Sequence, residues 1–323
     1  MPRAWRRPFL ETAWRGVAIV HTGEAPPVVS RIKGVLELSG VPAHVLPVGD
    51  LARALRCYDA VIFAGAVGGA VRLLCPLLRG KEVDPPVVVV DREGRFFIPL
   101  VGAHRGANKL AEELASAVGG TAVITTAAEA AGALPPEELE RALLCKMSRE
   151  DRLRVAAALR DGREVCVAGV EEAPPGYRPG EGCETVIRRA RECREGEVCC
   201  RPLRLYVGLG FTSTASVGEL VEAVRKALED LGADLSAVGA VTSIKPEAAE
   251  AARALGLPAA VFKPEELRVD WECLSPASRK ALEVSGLPGV AEPAALTAAG
   301  PGSYLLYRKR VFGCVTVSVA AAV

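Results

Sequence analysis

Short apolar runs, separated by Gly-rich turns and stretches with helical spacing, dominate the first part of the chain. Near-continuous runs of Val and Ile are typical of strands buried on both faces, as in parallel sheets. Apolar positions three and four residues apart predict amphipathic helices, the clearest being Pro27–Ser39 and Leu51–Arg56. The predicted strands are Gly16–Val20, Ala43–Val48, Tyr58–Phe63, Val87–Val90, Phe96–Val101 and Ala122–Thr125.

This alternation of strands and helices predicts a doubly wound α/β domain over residues 1–126. Right-handed crossovers would place the loops after Phe63, Val90 and Val101 along one edge of the sheet. Ligands of α/β proteins usually bind in such loops. We therefore expect candidate chemistry in these three turns.

The pattern changes after the first domain. Residues 127–201 predict a smaller, irregular middle segment, with helical composition over Ala127–Leu159 and a strand over Glu164–Val170. Glu171–Glu184 contains three Pro and three Gly without apolar periodicity, which is consistent with a linker or a mobile flap.

A second α/β domain is predicted over residues 202–323, with a ligand crevice between it and the first. Ser216-x-x-Glu219 is a capping box that opens a helix through Leu231. The remaining predicted elements are strands at Leu203–Gly210, Val238–Ile244 and Ala259–Phe262, a helix at Pro246–Leu255, and two closing strands around a basic turn within residues 303–320.

Composition narrows the class of protein. The 40 basic and 39 acidic residues nearly cancel, so nothing global predicts binding to nucleic acid or to a membrane surface. The first ten residues are basic without a following apolar region, and no run has the eighteen or so apolar residues of a spanning helix, which predicts a cytoplasmic protein. The chain has no Gln, and Asn108 is its single Asn, which indicates a thermophilic source.

The turn from Gly102 to Asn108 is the strongest candidate site. His104 and Arg105 lie in a loop bounded by Gly102 and Gly106, directly before a helix with an apolar face. A helix N-terminus favours a neutral imidazole, the form that a general base needs. A protein without other amides is expected to keep Asn108 for a specific hydrogen-bond pattern, although capping the helix that begins at Lys109 is an alternative.

Weaker candidates flank this turn or lie in the second domain. Gly65 opens a Gly-rich strand-to-helix turn that could hold an anion, but its spacing is neither a dinucleotide fingerprint nor a P-loop. Arg72, one turn into that helix, suits a carboxylate. Asp91 ends a strand beside the expected crevice, although Asp-x-x-Gly is also ordinary turn chemistry. Glu292 lies in a rigid Gly/Pro loop and could face the same ligand.

The ten cysteines predict disulfides or free thiols more than a metal site. Cys193, Cys199 and Cys200, with Cys183 nearby, lack the paired spacing of a zinc centre. Disulfides are a real option in intracellular proteins of hyperthermophiles.

Taken together, the motifs resemble those of the cobalt-precorrin-5A hydrolases of anaerobic cobalamin biosynthesis, in the family's order of N-terminal, middle and C-terminal domains. Asn108 keeps its place in the family's turn, whereas an ungapped match puts Ala103 rather than His104 at the family's His. The stretches that carry the resemblance are 70–78, 81–115, 123–126, 207–210, 243–247, 286–296 and 313–320.

The resemblance implies that the δ-lactone of a cobalt-tetrapyrrole is opened and acetaldehyde is released, giving cobalt-precorrin-5B. It implies no cofactor, because the cobalt is carried by the substrate. The substrate is anionic, so Arg72 and Arg105 would hold its carboxylates. His104 would activate water, and Asn108 or loop N–H groups would stabilise the oxyanion. Other enzymes of the pathway or a second copy of the chain are the remaining candidate partners.

Two other classes of protein stay open at this point. A non-catalytic tetrapyrrole-binding or channelling protein would need the same crevice but no general base. A nucleotide-binding protein is disfavoured because no full phosphate-binding fingerprint is present.

Overall fold

A computed structural model describes residues 7–81, 83–125, 133–267, 271–278, 281–283 and 286–323. The protein forms two compact units: one consists chiefly of residues 125–203, and the other joins residues 8–124 with residues 204–322. The three-domain division from the sequence stays a prediction. The predicted α/β class is confirmed, since three sheets are interleaved with helices. No helix in the described ranges is both long and apolar enough to cross a bilayer.

Residues 8–124 form a six-stranded sheet in the order β2-β1-β3-β4-β5-β6. Its strands are β1 Val17–His21, β2 Ala43–Pro47, β3 Ala60–Ala64, β4 Val87–Val90, β5 Phe96–Val101 and β6 Thr121–Ala122. Its helices are α1 Phe9–Thr12, α2 Pro27–Leu38, α3 Leu51–Cys57, α4 Val67–Leu74 and α5 Ala107–Val118.

Helices cover both faces of this sheet, which explains its unbroken apolar strands. On one face, Ile32 of α2 and Leu110 of α5 are fully buried with Ile62 of β3. On the other, Leu51 of α3 and Leu74 of α4 pack in the same cluster as alternate strand residues. Strands buried on both faces lack polar alternation, as the sequence indicated. The predicted strand Ala122–Thr125 is shorter than expected, since β6 ends at Ala122.

The direction of β5 corrects the predicted sheet edge. Strands β1 to β4 are parallel, but β5 runs antiparallel to β4, with Val101 paired to Val87 and Phe97 to Val90. The short connection through Asp91 is a hairpin rather than a crossover, and a hairpin reverses the chain. The loop after Val101 therefore lies at the edge where β1, β3 and β4 begin, opposite the loops after β3 and β4.

Residues 204–322 form a second sheet, in the order β14-β13-β12-β16-β15, within the same unit. The predicted capping box is confirmed: Ser216 accepts a bond from the Glu219 backbone, and the Glu219 carboxylate accepts from the Ser216 backbone. The strands are β12 Arg204–Phe211, β13 Val238–Ser243, β14 Ala259–Val261, β15 Tyr304–Phe312 and β16 Val315–Ala322. The helices are α8 Val217–Leu231, α9 Glu247–Ala254 and α10 Ala291–Ala299.

The predicted basic turn between the closing strands is wrong. The turn lies at Gly313–Cys314, and the basic run belongs to β15. Arg308 is only 1% exposed, and its guanidinium donates to the carbonyls of Arg15 and Cys57 and lies 4.3 Å from the centre of the Tyr58 ring. A buried guanidinium is tolerated where carbonyls and an aromatic face replace water.

Arg308 and the disulfide Cys57–Cys273 both connect residues 204–322 with residues 8–124, the two parts of the larger unit. Arg308 and this disulfide both meet the first sheet beside the starts of β1 and β3, the edge that also carries the loop after Val101.

The middle unit is more regular than its sequence pattern indicated, with a sheet in the order β7-β11-β10-β8-β9. The segment expected to be a linker or flap is fastened: the Tyr177 hydroxyl donates to the Leu134 carbonyl, and Cys183 is bonded to Cys166. Residues 127–132 of the predicted long helix lie outside the described residues. The elements are α6 Pro136–Leu143, β7 Cys145–Lys146, α7 Arg149–Arg160, β8 Val165–Ala168, β9 Arg178–Pro179, β10 Thr185–Arg189 and β11 Val198–Pro202.

Candidate functional site

A cavity of about 530 Å³ opens at the carboxyl ends of the parallel strands β12 and β13. Its described lining comes from five sequence segments: the end of β12 with the loop after Phe211, the residues around Lys245, residues between Leu274 and Ala281, the stretch from Pro288 to Pro293 that leads into α10, and residues of β15 and β16 between Lys309 and Thr316. This is the usual position of ligand sites in α/β sheets, and the volume lies in the range of small-molecule sites, about 300–1,000 Å³. None of its lining residues comes from the first sheet.

Gly208 explains how α10 reaches this position. A Cβ at Gly208 would lie 1.9 Å from the Ala291 carbonyl oxygen, so only glycine lets the start of the helix approach β12 so closely. Gly208 is therefore a packing residue, and the ligand-facing groups are those of the loop that follows it. In that loop the hydroxyls of Thr212 and Thr214 are 2.8 Å apart.

Glu292, which the sequence placed near the ligand, lines the cavity but is only 5% exposed. Its carboxylate accepts bonds from the Ser275 backbone at 2.8 Å, the Ser275 hydroxyl at 2.7 Å and the Lys309 backbone at 3.0 Å. Because it accepts these three bonds, the Glu292 carboxylate links the segment at Ser275 to β15. Glu292 thus supports the cavity wall.

Two lysines give the cavity its cationic character. The Lys245 ammonium donates to the Phe211 carbonyl at 2.9 Å and lies 5.1 Å from the centre of the Phe211 ring. Lys309, on β15, also lines the cavity. Neither lysine stands out in the sequence, since Lys245 lies within the 243–247 motif and Lys309 lies in the run predicted to be a basic turn.

The turn at His104 forms a separate candidate. A single turn of 3-10 helix, Ala103–Arg105, follows β5, with Gly102 and Gly106 in the left-handed region at φ 76° and 96°. His104 is half-buried, and its Nε2 lies 2.7 Å from the Lys81 carbonyl oxygen. Because a carbonyl only accepts, Nε2 carries the proton and Nδ1 holds the free lone pair of the neutral ring.

Asp84 shapes the loop that supplies this carbonyl. Its side chain is 5% exposed and accepts bonds from the backbone of Arg79 at 3.0 Å and of Gly80 at 2.9 Å. These bonds hold the backbone immediately before Lys81, the residue whose carbonyl accepts from His104.

Asn108 is not the N-cap of its helix. α5 begins at Ala107 with Gly106 as its N-cap, so Asn108 is the second helical residue, and its side chain is 3% exposed. Arg105 is half-buried in the same turn. The alternative that Asn108 serves only as a cap is therefore wrong.

The structure does not bring Asp91 and Arg72 to this turn. Asp91 closes the β4–β5 hairpin at the opposite sheet edge, where it accepts from the backbones of Arg95 at 2.7 Å and Phe96 at 3.0 Å. Burial opposes ionisation of Asp91, but the bonds from Phe96 and Arg95 outweigh it and lower its pKa. Arg72 is exposed on α4, and Gly65 lies against the Phe63 ring at the start of the turn before that helix.

No group of three or more His, Cys, Asp or Glu side chains in the described ranges is arranged to hold a metal ion. The cysteines instead form four disulfides: Cys57–Cys273, Cys145–Cys200, Cys166–Cys183 and Cys193–Cys199. Cys75 and Cys314 are free thiols.

The fold and these two candidate sites define an α/β protein with a small-molecule cavity and a separate turn that carries a histidine. Comparison with known proteins makes the class specific. Residues 50–129 match the family model described as Cobalamin synthesis G N-terminal, and residues 205–320 match Cobalamin synthesis G C-terminus.

Curated relatives and a solved structure agree with these matches. A cobalt-precorrin-5A hydrolase of Priestia megaterium is 28% identical over 298 residues, which cover 81% of this chain and 78% of that protein. A probable cobalt-precorrin-5A hydrolase of Methanocaldococcus jannaschii is 24% identical, covering 87% and 89%. The crystal structure of a cobalamin biosynthesis protein G homolog from Sulfolobus solfataricus has a TM-score of 0.82 at 27% identity, covering 97% of this chain and 99% of that one.

The chain belongs to the cobalt-precorrin-5A hydrolase family. This confirms the family that the motifs resembled, and the predicted class of enzyme, a hydrolase, agrees with the names of the relatives.

Proposed function

We propose that this protein hydrolyses the δ-lactone of cobalt-precorrin-5A and releases acetaldehyde, giving cobalt-precorrin-5B. The observation that carries the proposal is the match to relatives named for this activity, the first spanning 81% of the chain. The substrate is an anionic cobalt-tetrapyrrole, and its cobalt is not a cofactor of the protein. The two candidate sites supply the groups that this chemistry needs.

The reaction consumes one water. Attack on the lactone carbonyl gives a tetrahedral oxyanion, and its collapse breaks the ring C–O bond to leave a carboxylate and an alcohol. Loss of the alcohol proton then breaks a C–C bond, the acetaldehyde C=O forms, and the electron pair of the broken bond passes to the macrocycle. A general base therefore serves in both stages.

His104 is the proposed base. Its Nε2–H is held by the Lys81 carbonyl, so the neutral ring offers Nδ1 to a water. In the same turn, Asn108 would stabilise the oxyanion, and the guanidinium of Arg105 would bind a substrate carboxylate. Arg72 and Asp91 take no part in this proposal, because neither is placed beside His104.

The test is acetaldehyde release by the wild-type protein. Cobalt-precorrin-5A is incubated anaerobically with the protein, and acetaldehyde is measured by NADH oxidation with an alcohol dehydrogenase. The proposal expects one acetaldehyde per substrate consumed. A protein that binds the tetrapyrrole with unchanged absorbance and releases no acetaldehyde would instead be a binding or channelling protein.

A further inference from the structure

We propose that the 530 Å³ cavity beside β12 and β13 binds a carboxylate-bearing face of the tetrapyrrole through Lys245 and Lys309. This deepens the proposed function and rests on it for the identity of the ligand. Neither lysine is among the residues that the sequence motifs predicted for substrate binding. Their role follows from three features of the cavity: its cations, its one carboxylate and its apolar walls.

The Lys245 ammonium has more N–H donors than its contacts with the described residues use. Among the described residues it donates to one acceptor, the Phe211 carbonyl, and an ammonium carries three N–H donors. The contact with the Phe211 ring orients the charge without neutralising it. Within the described residues Lys245 forms no ion pair, so its charge is available to an anion in the cavity.

Lys309 adds a second cation. Its backbone N–H donates to Glu292, Lys309 is one of the residues that line the cavity, and its side chain pairs with no carboxylate among the described residues. Among the described residues of the lining, Glu292 is the single acidic one, and its carboxylate accepts bonds from three donors of Ser275 and Lys309. The described lining thus contains two cationic residues and one carboxylate that is already hydrogen-bonded, in a chain of net charge +1. Such a local excess attracts anions.

The rest of the lining suits the body of the ligand. The cavity lining also includes apolar residues, namely Phe211, Leu274, Pro288, Val290 and Val311. An apolar wall with a few placed cations favours a flat apolar ring that carries peripheral carboxylates, and a compact inorganic anion would gain nothing from these side chains.

Binding without turnover tests this inference. Cobyrinic acid, a cobalt corrin with free carboxylates, and cobinamide, in which amides replace them, are titrated into the protein by calorimetry. The variants are Lys245→Met, Lys309→Met and the double variant. Lys226→Met is the matched control, since Lys226 lies on α8 outside the cavity and is exposed in ion pairs with Glu229 and Asp230. Circular dichroism checks that every variant is folded.

Each cavity variant should weaken cobyrinic acid binding by about tenfold or more, because a charge-assisted bond is lost, and the control should bind like wild type. Cobinamide should bind more weakly than cobyrinic acid to wild type and equally to all variants. Unchanged cobyrinic acid affinity in the folded double variant, or equal affinity of wild type for the two corrins, would overturn the inference. If these losses are seen but no acetaldehyde is ever released, the cavity assignment stands and the proposed reaction fails.

Discussion

His104 is one of three histidines in the chain, and the three differ in what holds their rings. His21 Nδ1 lies 3.1 Å from the Gly23 carbonyl oxygen, and His44 Nδ1 lies 2.9 Å from the Tyr58 hydroxyl. His104 is the one held through Nε2 in a turn beside Arg105 and Asn108. The proposed catalytic role rests on the position of His104 beside Arg105 and Asn108.

Replacing His104 should separate chemistry from binding. We expect His104→Ala to lower kcat for acetaldehyde release by about 10²–10⁴-fold, the usual contribution of a general base, with little change in tetrapyrrole affinity. Stopped-time acetaldehyde assays and calorimetry measure the two quantities. His21→Ala is the matched control and should keep full activity. Turnover of His104→Ala at the wild-type rate would remove His104 from the mechanism.

His44 should make stability depend on pH. Burial, followed by the charges of Arg308 and Lys309, lowers the pKa of His44 to about 4. The unfolded chain therefore binds the proton more readily, and the stability present above the ordinary pKa is lost as the pH falls toward the folded value. Between about pH 7 and about pH 4.5 this loss should be ~2–3 kcal/mol.

Urea denaturation at the two pH values measures this effect. In His44→Gln, which cannot titrate, the loss of unfolding free energy on acidification should be smaller by that amount, while His21→Gln should behave like wild type. An identical pH dependence in His44→Gln and wild type would show that His44 is not the group responsible.

At the scale of elements, the short turn between β5 and α5 depends on glycine. Gly102 has φ 76°, and a Cβ there would lie 2.9 Å from the Pro86 Cα, whereas Gly119 has φ 85° with nothing within 4 Å of a Cβ. Both positions share the backbone preference, but only Gly102 is also crowded by backbone. Comparing Gly102 with Gly119 therefore distinguishes the cost of left-handed backbone from the cost of a clash with neighbouring atoms.

Gly102→Ala should cost more stability than Gly119→Ala. A left-handed alanine costs about 1 kcal/mol, and the clash with Pro86 should add ~1–2 kcal/mol at Gly102 only. Urea denaturation compares the two variants, and acetaldehyde release should fall in Gly102→Ala because His104 lies two residues further on. Equal costs for the two variants would mean that the close approach to Pro86 is unimportant.

At the scale of the whole molecule, four disulfides account for all but two of the ten cysteines. Cys57–Cys273 closes a separation of 216 residues within the larger unit, and the other three lie in the middle unit. Cross-links over long separations restrict the unfolded chain most.

Thiol counting tests this pattern. Protein denatured without reductant and treated with iodoacetamide should carry two modifications by mass spectrometry, at Cys75 and Cys314. Full reduction before alkylation should give ten. Ten modifications without prior reduction would show that the disulfides are absent.

The local signals in the sequence predicted much of this fold, and the non-local pairings account for most of what it missed. Ser216 and Glu219 lie three residues apart, so their capping box could be recognised directly. The direction of β5 depends on whether the turn at Asp91 closes a hairpin, which its residues allow but do not require. Burial of Arg308 depends on Arg15, Cys57 and Tyr58, all more than two hundred positions away.

The candidate sites follow the same rule. The His104 turn could be proposed from the sequence because its residues are adjacent and Asn108 is the only Asn or Gln of the chain. Lys245 and Lys309 could not be paired from the sequence, because they are 64 positions apart, one just after β13 and the other within β15, and only the fold brings both to the cavity.

The central claim is hydrolysis of the lactone, and isotope labelling tests it most directly. Cobalt-precorrin-5A is converted by the wild-type protein in H₂¹⁸O, and the tetrapyrrole product is examined by mass spectrometry. The account predicts one ¹⁸O in the carboxylate released from the lactone, together with loss of the mass of acetaldehyde. A product that has lost acetaldehyde but carries no ¹⁸O in that carboxylate would contradict attack of water on the lactone carbonyl.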